Sequence, residues 1–473
     1  IMRKFNVILI VIDGGRVDRI SKFPIFQKLQ EDGTFFSHMI AHAPYTLVSM
    51  NSIFTGMYGS KNGINAYYQM FQDPKPGCIT LAEYLSENGW YTCGDVMRLS
   101  LVSHKGFKKI TSQEDTDDPD FIKTHSGILD QIKNDKKPKQ PFFAYLHYPK
   151  IHHSIKENIF DKYDDFSEEY FSNKDQNLKN YDTYLEEASN YLEKIYQKIL
   201  NDNLDSDSII IVMADHGMGV GEKIGERAYG IFTYDYSIRT FAYFIQPKIF
   251  PQGKEISELT ETIDIMPTIL SALEIPEKTS SLKIQGKNLL EYINNSNISM
   301  KSNSAQNELS GRFAFSETGG VEGPWPSPKE PNVKCIRNFK WKLIHNLTPD
   351  KQRTKRDITI SATPFEDHFV ISIESSGFPR ELVRRIISLI VEISSKKSPL
   401  EKIDRVFSPR PLTGPDGVPP APAYPLVLYD VDYPYKFQCD PKAIDSARNI
   451  FETLSKKHLT LSHIFQHIPQ FLT

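Results

Sequence analysis

Apolar residues run unbroken from Val7 to Ile12 and stop at Asp13, Gly14 and Gly15. A continuous β-branched run of this length fits a strand buried on both faces and closed by a tight turn, as in the middle of a parallel sheet. Similar runs recur at Trp90 to Val96, Phe142 to Leu146 and Ser208 to Met213, with helical spacing between them at Thr80 to Glu87 and Lys179 to Leu200. This alternation predicts an α/β fold, an α/β/α sandwich around a mostly parallel central sheet. Ligands in such folds gather beyond the carboxyl ends of the strands, so Asp13 and Asp215, each just past an apolar run, are expected to face one crevice.

The pattern changes near Arg312. A Gly- and Pro-rich loop at Glu317 to Pro331 precedes a strand pattern from Cys335 to His345, then an alternating segment at His368 to Ile373. A helix follows Pro379, with Leu382, Val383, Ile386, Ile387 and Ile390 spaced for one apolar face. A Pro-rich stretch from Pro409 to Pro425 leads into the last elements. The expected organisation is a catalytic core over 1–311 and a smaller C-terminal α+β subdomain over 312–473, the latter holding an unassigned insertion at about 346–425.

Composition narrows the function classes. In 473 residues, 39% hydrophobic and 24% charged, the balance is that of a folded globular protein. A net charge of −3 offers no broad basic field, so nucleic acid is not an expected partner. The Val7 to Ile12 run is too short to span a bilayer and leads into a Gly-rich turn, so neither an integral membrane segment nor a signal peptide is expected. Cys78, Cys93, Cys335 and Cys439 lack the short paired spacing of a zinc cluster or disulfide framework, which predicts a reducing, cytoplasmic setting.

Four pieces of sequence carry candidate chemistry: Asp13 in VIDGGR, Thr46 in APYTLVSMNSIFTG, the pair His152 and His153, and Asp215 with His216 in ADHG. Each has a plainer reading: Asp before Gly-Gly forms turns, and Thr caps helices. Two carboxylates, an imidazole nitrogen and a hydroxyl nevertheless make a mixed O and N ligand set for one hard or borderline divalent cation, Mn²⁺, Mg²⁺ or Zn²⁺. Thr46 at a helix start would gain from the helix dipole as a nucleophile.

In this order the motifs resemble the sulfatase branch of the alkaline-phosphatase superfamily, with further matches at DIMPTIL (Asp264 to Leu270), GKNLL (Gly286 to Leu290), RNFKWKLIHN near Lys342 and LYDVD (Leu428 to Asp432). The resemblance implies Asp13, Thr46, Asp215 and His216 as metal ligands, Thr46 as nucleophile, and His152, with His153 in reserve, as the general acid at the leaving group. It also implies that Lys223 or Arg227 touches the transferred group, and Asn65 is a further candidate donor to its oxygens. Sulfatases resemble C/S-x-P-x-R at the nucleophile; here Thr46, Leu47, Val48, Ser49 and Met50 stand instead, so no formylglycine can form. Gly14 takes the place of a second aspartate, and no second metal set accompanies LHYPKIHHSI. Threonine at this position is similar to the phosphodiesterase, phosphonate monoester hydrolase and phosphoglycerol-transferase branches.

The expected function is therefore cleavage of a small-molecule or headgroup phosphate or phosphonate ester through a covalent intermediate on Thr46. Transfer to an alcohol acceptor, a sulfatase, and an inactive binding homologue are the alternatives. Residues Ala362 to Pro425 have no counterpart in the resemblance and are expected to shape the pocket or to support a homo-oligomer.

Overall fold

The structure, a computed structural model, describes residues 5–113, 118–134, 140–163, 167–278, 282–295, 312–319, 329–346, 358–365, 368–375 and 382–406. The chain forms two compact units, Ile1–Arg356 and Asp357–Thr473.

The first unit is built on a mixed sheet of β1 (Asn6–Ile12), β2 (Thr34–Ile40), β3 (Tyr91–Val96), β4 (Lys109–Ser112), β5 (Phe142–Tyr148), β6 (Ser208–Met213), β7 (Arg239–Ile245), β8 (Lys254–Ile256) and β9 (Thr260–Glu261). The spatial order is β4-β3-β5-β1-β6-β7-β2-β8, with β9 also on β2. From β4 to β6 all pairs are parallel, and β7 runs against both of its neighbours. Val7 to Ile12 are fully buried, as their uninterrupted apolar run predicts for a strand covered by helices on both faces.

Both aromatic strands β2 and β7 escape the sequence reading. They are buried along most of their length, so no polar alternation marks them. The long helix Lys174–Asn201 covers the sheet through Tyr181, Leu185, Leu192, Ile195 and Ile199, an apolar stripe of period near 3.6. Thr80 caps the helix Leu81–Glu87 in a reciprocal capping box with Glu83.

The strand pattern expected from Cys335 to His345 is two strands, β11 (Val333–Arg337) and β12 (Lys342–Asn346). They join β10 (Ala314–Thr318) in a three-stranded antiparallel sheet. Asn338 breaks the run because its Oδ1 accepts from the backbone N–H groups of Lys340 and Trp341. Ala314 and Cys335 bury themselves against Ile40, Ile238 and Leu259. This sheet therefore belongs to the first unit, and the division falls at 356/357 rather than at the expected 311/312.

In the second unit, β13 (Ile358–Phe365) and β14 (His368–Ser375) form an antiparallel hairpin. The helix Leu382–Ser394 buries Ile386 and Leu389, so its inward face is centred slightly off the expected stripe. LYDVD at Leu428 to Asp432, the Pro-rich stretch and Cys439 lie outside the described residues.

Candidate metal and nucleophile site

The carboxyl ends of β1 and β6, neighbours in the sheet, deliver Asp13 and Asp215 with His216 to one fully buried point. Gly14 makes the turn after Asp13 possible: its φ of +74° favours glycine, and a Cβ there would lie 2.6 Å from Met218 Cε. Its N–H donates to Asp215 Oδ1 at 3.4 Å. A second aspartate here, as in the resembled pattern, would have to adopt this positive φ and displace the end of the Met218 side chain.

Thr46 is the first residue of the helix Thr46–Thr55, and the preceding Tyr45 makes no side-chain cap. The hydroxyl is therefore not spent on capping. It donates to Asp13 Oδ2 at 3.3 Å and lies 3.4 Å from His216 Nε2. One turn on, Ser49 Oγ donates to the Asp215 carbonyl at 2.6 Å and ties this helix to the end of β6.

His216 Nδ1 faces the Gly217 carbonyl at 2.7 Å, which leaves Nε2 facing Asp13 Oδ1 at 3.3 Å and Asp215 Oδ2 at 3.6 Å. Those same two carboxylate oxygens are buried and have no hydrogen-bond partner among the described residues. One ligand atom from each of Asp13, Asp215 and His216 can be chosen so that all lie within 4.8 Å of one another. Buried carboxylate oxygens left unpaired are strongly disfavoured unless a cation or donor compensates, so this donor set fits one divalent ion.

The electrostatics agree. Burial pushes the Asp13 carboxyl up, but hydrogen bonds from His147 and His216 and the His216 charge together hold it well below the ordinary range. Burial raises Asp215. Burial pushes His216 down, yet Asp215 and Asp13 carry it up to about 9. Without a cation, the cluster keeps positive charge on the imidazole.

His147 was not singled out in the sequence. It sits near the end of β5, in register with Val11 of β1, and is fully buried. Tyr145 hydroxyl lies 2.6 Å from its Nδ1, and its Nε2 lies 3.3 Å from Asp13 Oδ2. With Tyr145 donating to Nδ1, the Nε2–H is aimed at Asp13 and orients the carboxylate. The available signal was a histidine near the carboxyl end of an otherwise apolar strand.

β5 runs on to Tyr148, and the two other histidines occupy the short helix Lys150–Ile155 rather than a loop. His152 Nε2 is 2.9 Å from the Tyr229 hydroxyl, and its Nδ1 is buried without a partner. Burial moves His152 down to about 4, against the pull of Asp13. His153 is half-buried, 6.4 Å ring to ring from Phe121.

The remaining expected residues make contacts of their own. Arg227 donates to the carbonyls of Phe160, at 3.1 Å, and of Tyr163, and its guanidinium lies over the Phe160 ring. Lys223 has its ammonium 6.0 Å from the Tyr234 ring centre, and its carbonyl accepts from Glu226 N–H. Asn65 is half-buried in the segment after the helix Gly59–Asn62, against Gly59.

Residues 6–275 match the Sulfatase family model. The chain belongs to the sulfatase family. Its fold and membership place it among enzymes of phosphoric or sulfuric esters. It is similar in fold to the phosphonate monoester hydrolase SpPMH from Silicibacter pomeroyi, with a TM-score of 0.54 and 15% identity, covering 83% of this chain and 94% of that one. It is 23% identical over 284 residues to the low-salt glycan biosynthesis sulfotransferase Agl7 of Haloferax volcanii, covering 57% of this chain and 60% of that protein.

A different family model, tRNA pseudouridine synthase, matches residues 329–434. Over 130 residues the chain is 42% identical to tRNA pseudouridine synthase A of Haloarcula marismortui, which covers 27% of this chain and 47% of that protein. The chain thus spans about half the length of that relative. Residues Ala362 to Pro425 therefore do have a counterpart. The five-residue LYDVD lies within this second match, so it is not evidence that the sulfatase pattern continues to the end of the chain.

Proposed function

We propose that the first unit transfers a phosphoryl or phosphonyl group from an ester to Thr46, then to water or an alcohol, using one divalent ion held by Asp13, Thr46, Asp215 and His216. The observation that carries this reading is the Thr46 hydroxyl, buried at a helix start between Asp13 and His216 and beside two unpaired carboxylate oxygens. The ion, when bound, lowers the pKa of the hydroxyl and offsets charge on the substrate's oxygens.

The protein's own residues do the rest. Asp13, oriented by His147, accepts the Thr46 hydrogen bond and gives the departing proton a direction. Thr46 Oγ1 forms a bond to phosphorus as the ester oxygen leaves, and His152 assists that oxygen. Water or an alcohol then attacks the same phosphorus and releases Thr46, whose oxygen regains a proton as the attacking oxygen gives one up. A threonine cannot become formylglycine, which favours phosphorus over sulfur.

A panel of aryl phosphate mono- and diesters, phosphonate esters and sulfate esters with Mn²⁺, Mg²⁺ or Zn²⁺ tests the class. Rapid-quench mass spectrometry should find one phosphoryl group on the peptide carrying Thr46. Thr46→Ala at near wild-type turnover, or sulfate esters as clearly the best substrates, would overturn the proposal.

A second reading concerns the region matching tRNA pseudouridine synthase, and the 42% identity favours it. We propose that this region contacts tRNA, with exposed Lys396 and Lys397 placed to meet phosphates. The full chain should then retard tRNA in a gel, with affinity falling steeply as salt rises. No retardation even at low salt would rule this out.

A further inference from the structure

Tyr229 is a buried residue of the segment after Asp215 and His216, and the mechanism above leaves it without a role. Its ring lies 5.6 Å from the ring of His216 and 4.9 Å from that of His152, so it is wedged between a metal-ligand candidate and the leaving-group histidine. Its hydroxyl is 2.9 Å from His152 Nε2. The other nitrogen, Nδ1, is buried and makes no hydrogen bond among the described residues.

A neutral imidazole has one N–H and one lone pair, and whichever nitrogen accepts a hydrogen bond sends the proton to the other. A phenol O–H donating to Nε2 leaves Nδ1–H as a buried, unpaired donor. Such a donor is disfavoured while unpaired and is satisfied when an acceptor meets it.

We propose that Tyr229 is a positioning residue that holds His152 in its Nδ1–H form, so that His152 serves the leaving-group oxygen as a neutral hydrogen-bond donor. This rests on the reading that His152 faces the leaving group. No proton need cross in the bond-breaking step: the donor stabilises charge growing on the departing oxygen, and solvent protonates that oxygen afterwards. The opposite form, with Nε2–H donating to the tyrosine oxygen, would present only a lone pair at Nδ1 and would repel the same charge.

Tyr229→Phe keeps the ring between the two histidines and removes only the hydroxyl. In the full chain, nitrogen-15 NMR of the His152 ring should report the Nδ1–H form in the wild type and its loss in Tyr229→Phe. Turnover of alkyl esters should fall about tenfold or more, the range seen when a partner orienting a site histidine is removed. Activated nitrophenyl esters should change little, and Tyr229→Phe should add nothing in a His152→Ala background. A wild-type ring protonated on Nε2, or a form unchanged in Tyr229→Phe, overturns the positioning role. If the ring form shifts as expected but His152→Ala affects alkyl and nitrophenyl esters equally, Tyr229 still sets the proton on His152. In that outcome the assignment of His152 to the leaving group is what fails.

Discussion

Glu226 offers a test of how the segment carrying Tyr229 is held. Its carboxylate is fully buried and accepts from Ile231 N–H at 3.1 Å and Phe232 N–H at 2.8 Å through Oε1, and from Tyr236 O–H at 2.7 Å through Oε2. Burial dominates and carries the carboxyl from 4.5 up to about 7, against the pull of these three donors. A folded value above the unfolded one means that the folded chain binds the extra proton. Stability from this group is therefore complete below pH 4.5, is lost as pH rises through the window up to about 7, and stays lost above it. At about 1.4 kcal/mol per tenfold change in the protonation equilibrium, this amounts to about 3 kcal/mol.

Glu226→Gln preserves the contacts, with Oε1 still accepting from both amides and the new NH₂ donating to the Tyr236 oxygen, and it removes the titration. Thermal melts of the two proteins should nearly coincide at pH 4.5 and separate by pH 8, with Gln the more stable. At about 2 °C per kcal/mol for a large unit, the separation should be roughly 6 °C. Parallel melting curves across that range would show that Glu226 does not bind its proton in the folded state, and the reasoning from burial would fail.

Three further outcomes follow from the structure. Asp215→Asn removes a ligand charge while keeping the size, so elemental analysis should fall from about one divalent ion per chain toward none; unchanged content would refute the ligand set. Arg312 pairs with Asp264 at 2.6 Å and Glu261 at 3.2 Å, all three buried. Arg312→Met should destabilise the first unit by about 3–5 kcal/mol at neutral pH, measured by denaturant unfolding, and by less in acid, where the abandoned carboxyls protonate. Ser49→Ala deletes the 2.6 Å bond to the Asp215 carbonyl and should lower stability by about 1 kcal/mol with a larger relative fall in turnover; a fall in stability alone would assign Ser49 to packing.

The sequence makes some of this molecule legible and hides the rest for physical reasons. β1 and β6 coincide with the apolar runs because a strand covered on both faces must be apolar at every position. The ends of those strands fix where Asp13 and Asp215 emerge, so the core of the site follows from the pattern. β7 shows the limit, because its antiparallel direction depends on which partners it meets, which is not written in its own residues. Arg227 shows another: a cation beside the site is readable as a charge, but Phe160 and Tyr163, more than sixty positions away, decide where it points. The pairs His147 with Asp13 and Tyr229 with His152 each join residues far apart in sequence, and local pattern carries no trace of such pairing. The tRNA pseudouridine synthase match was missed because periodicity reports helices and hairpins but not ancestry.

The buried cluster also bears on why this fold is stable enough to tolerate it. Asp13, Asp215, His216, His147 and Thr46 place five polar side chains in the interior, two with unpaired oxygens, an arrangement that opposes folding unless a charge compensates. On the proposed reading a compact cation would supply that charge where the imidazole nitrogen meets both carboxylates. The surrounding sheet supplies the margin, since β1 and β6 are sealed along their length by apolar side chains and locked in parallel register. Destabilisation is thereby confined to the strand ends, where the chemistry is, while the strands behind them leave the ligand atoms little freedom to collapse onto one another.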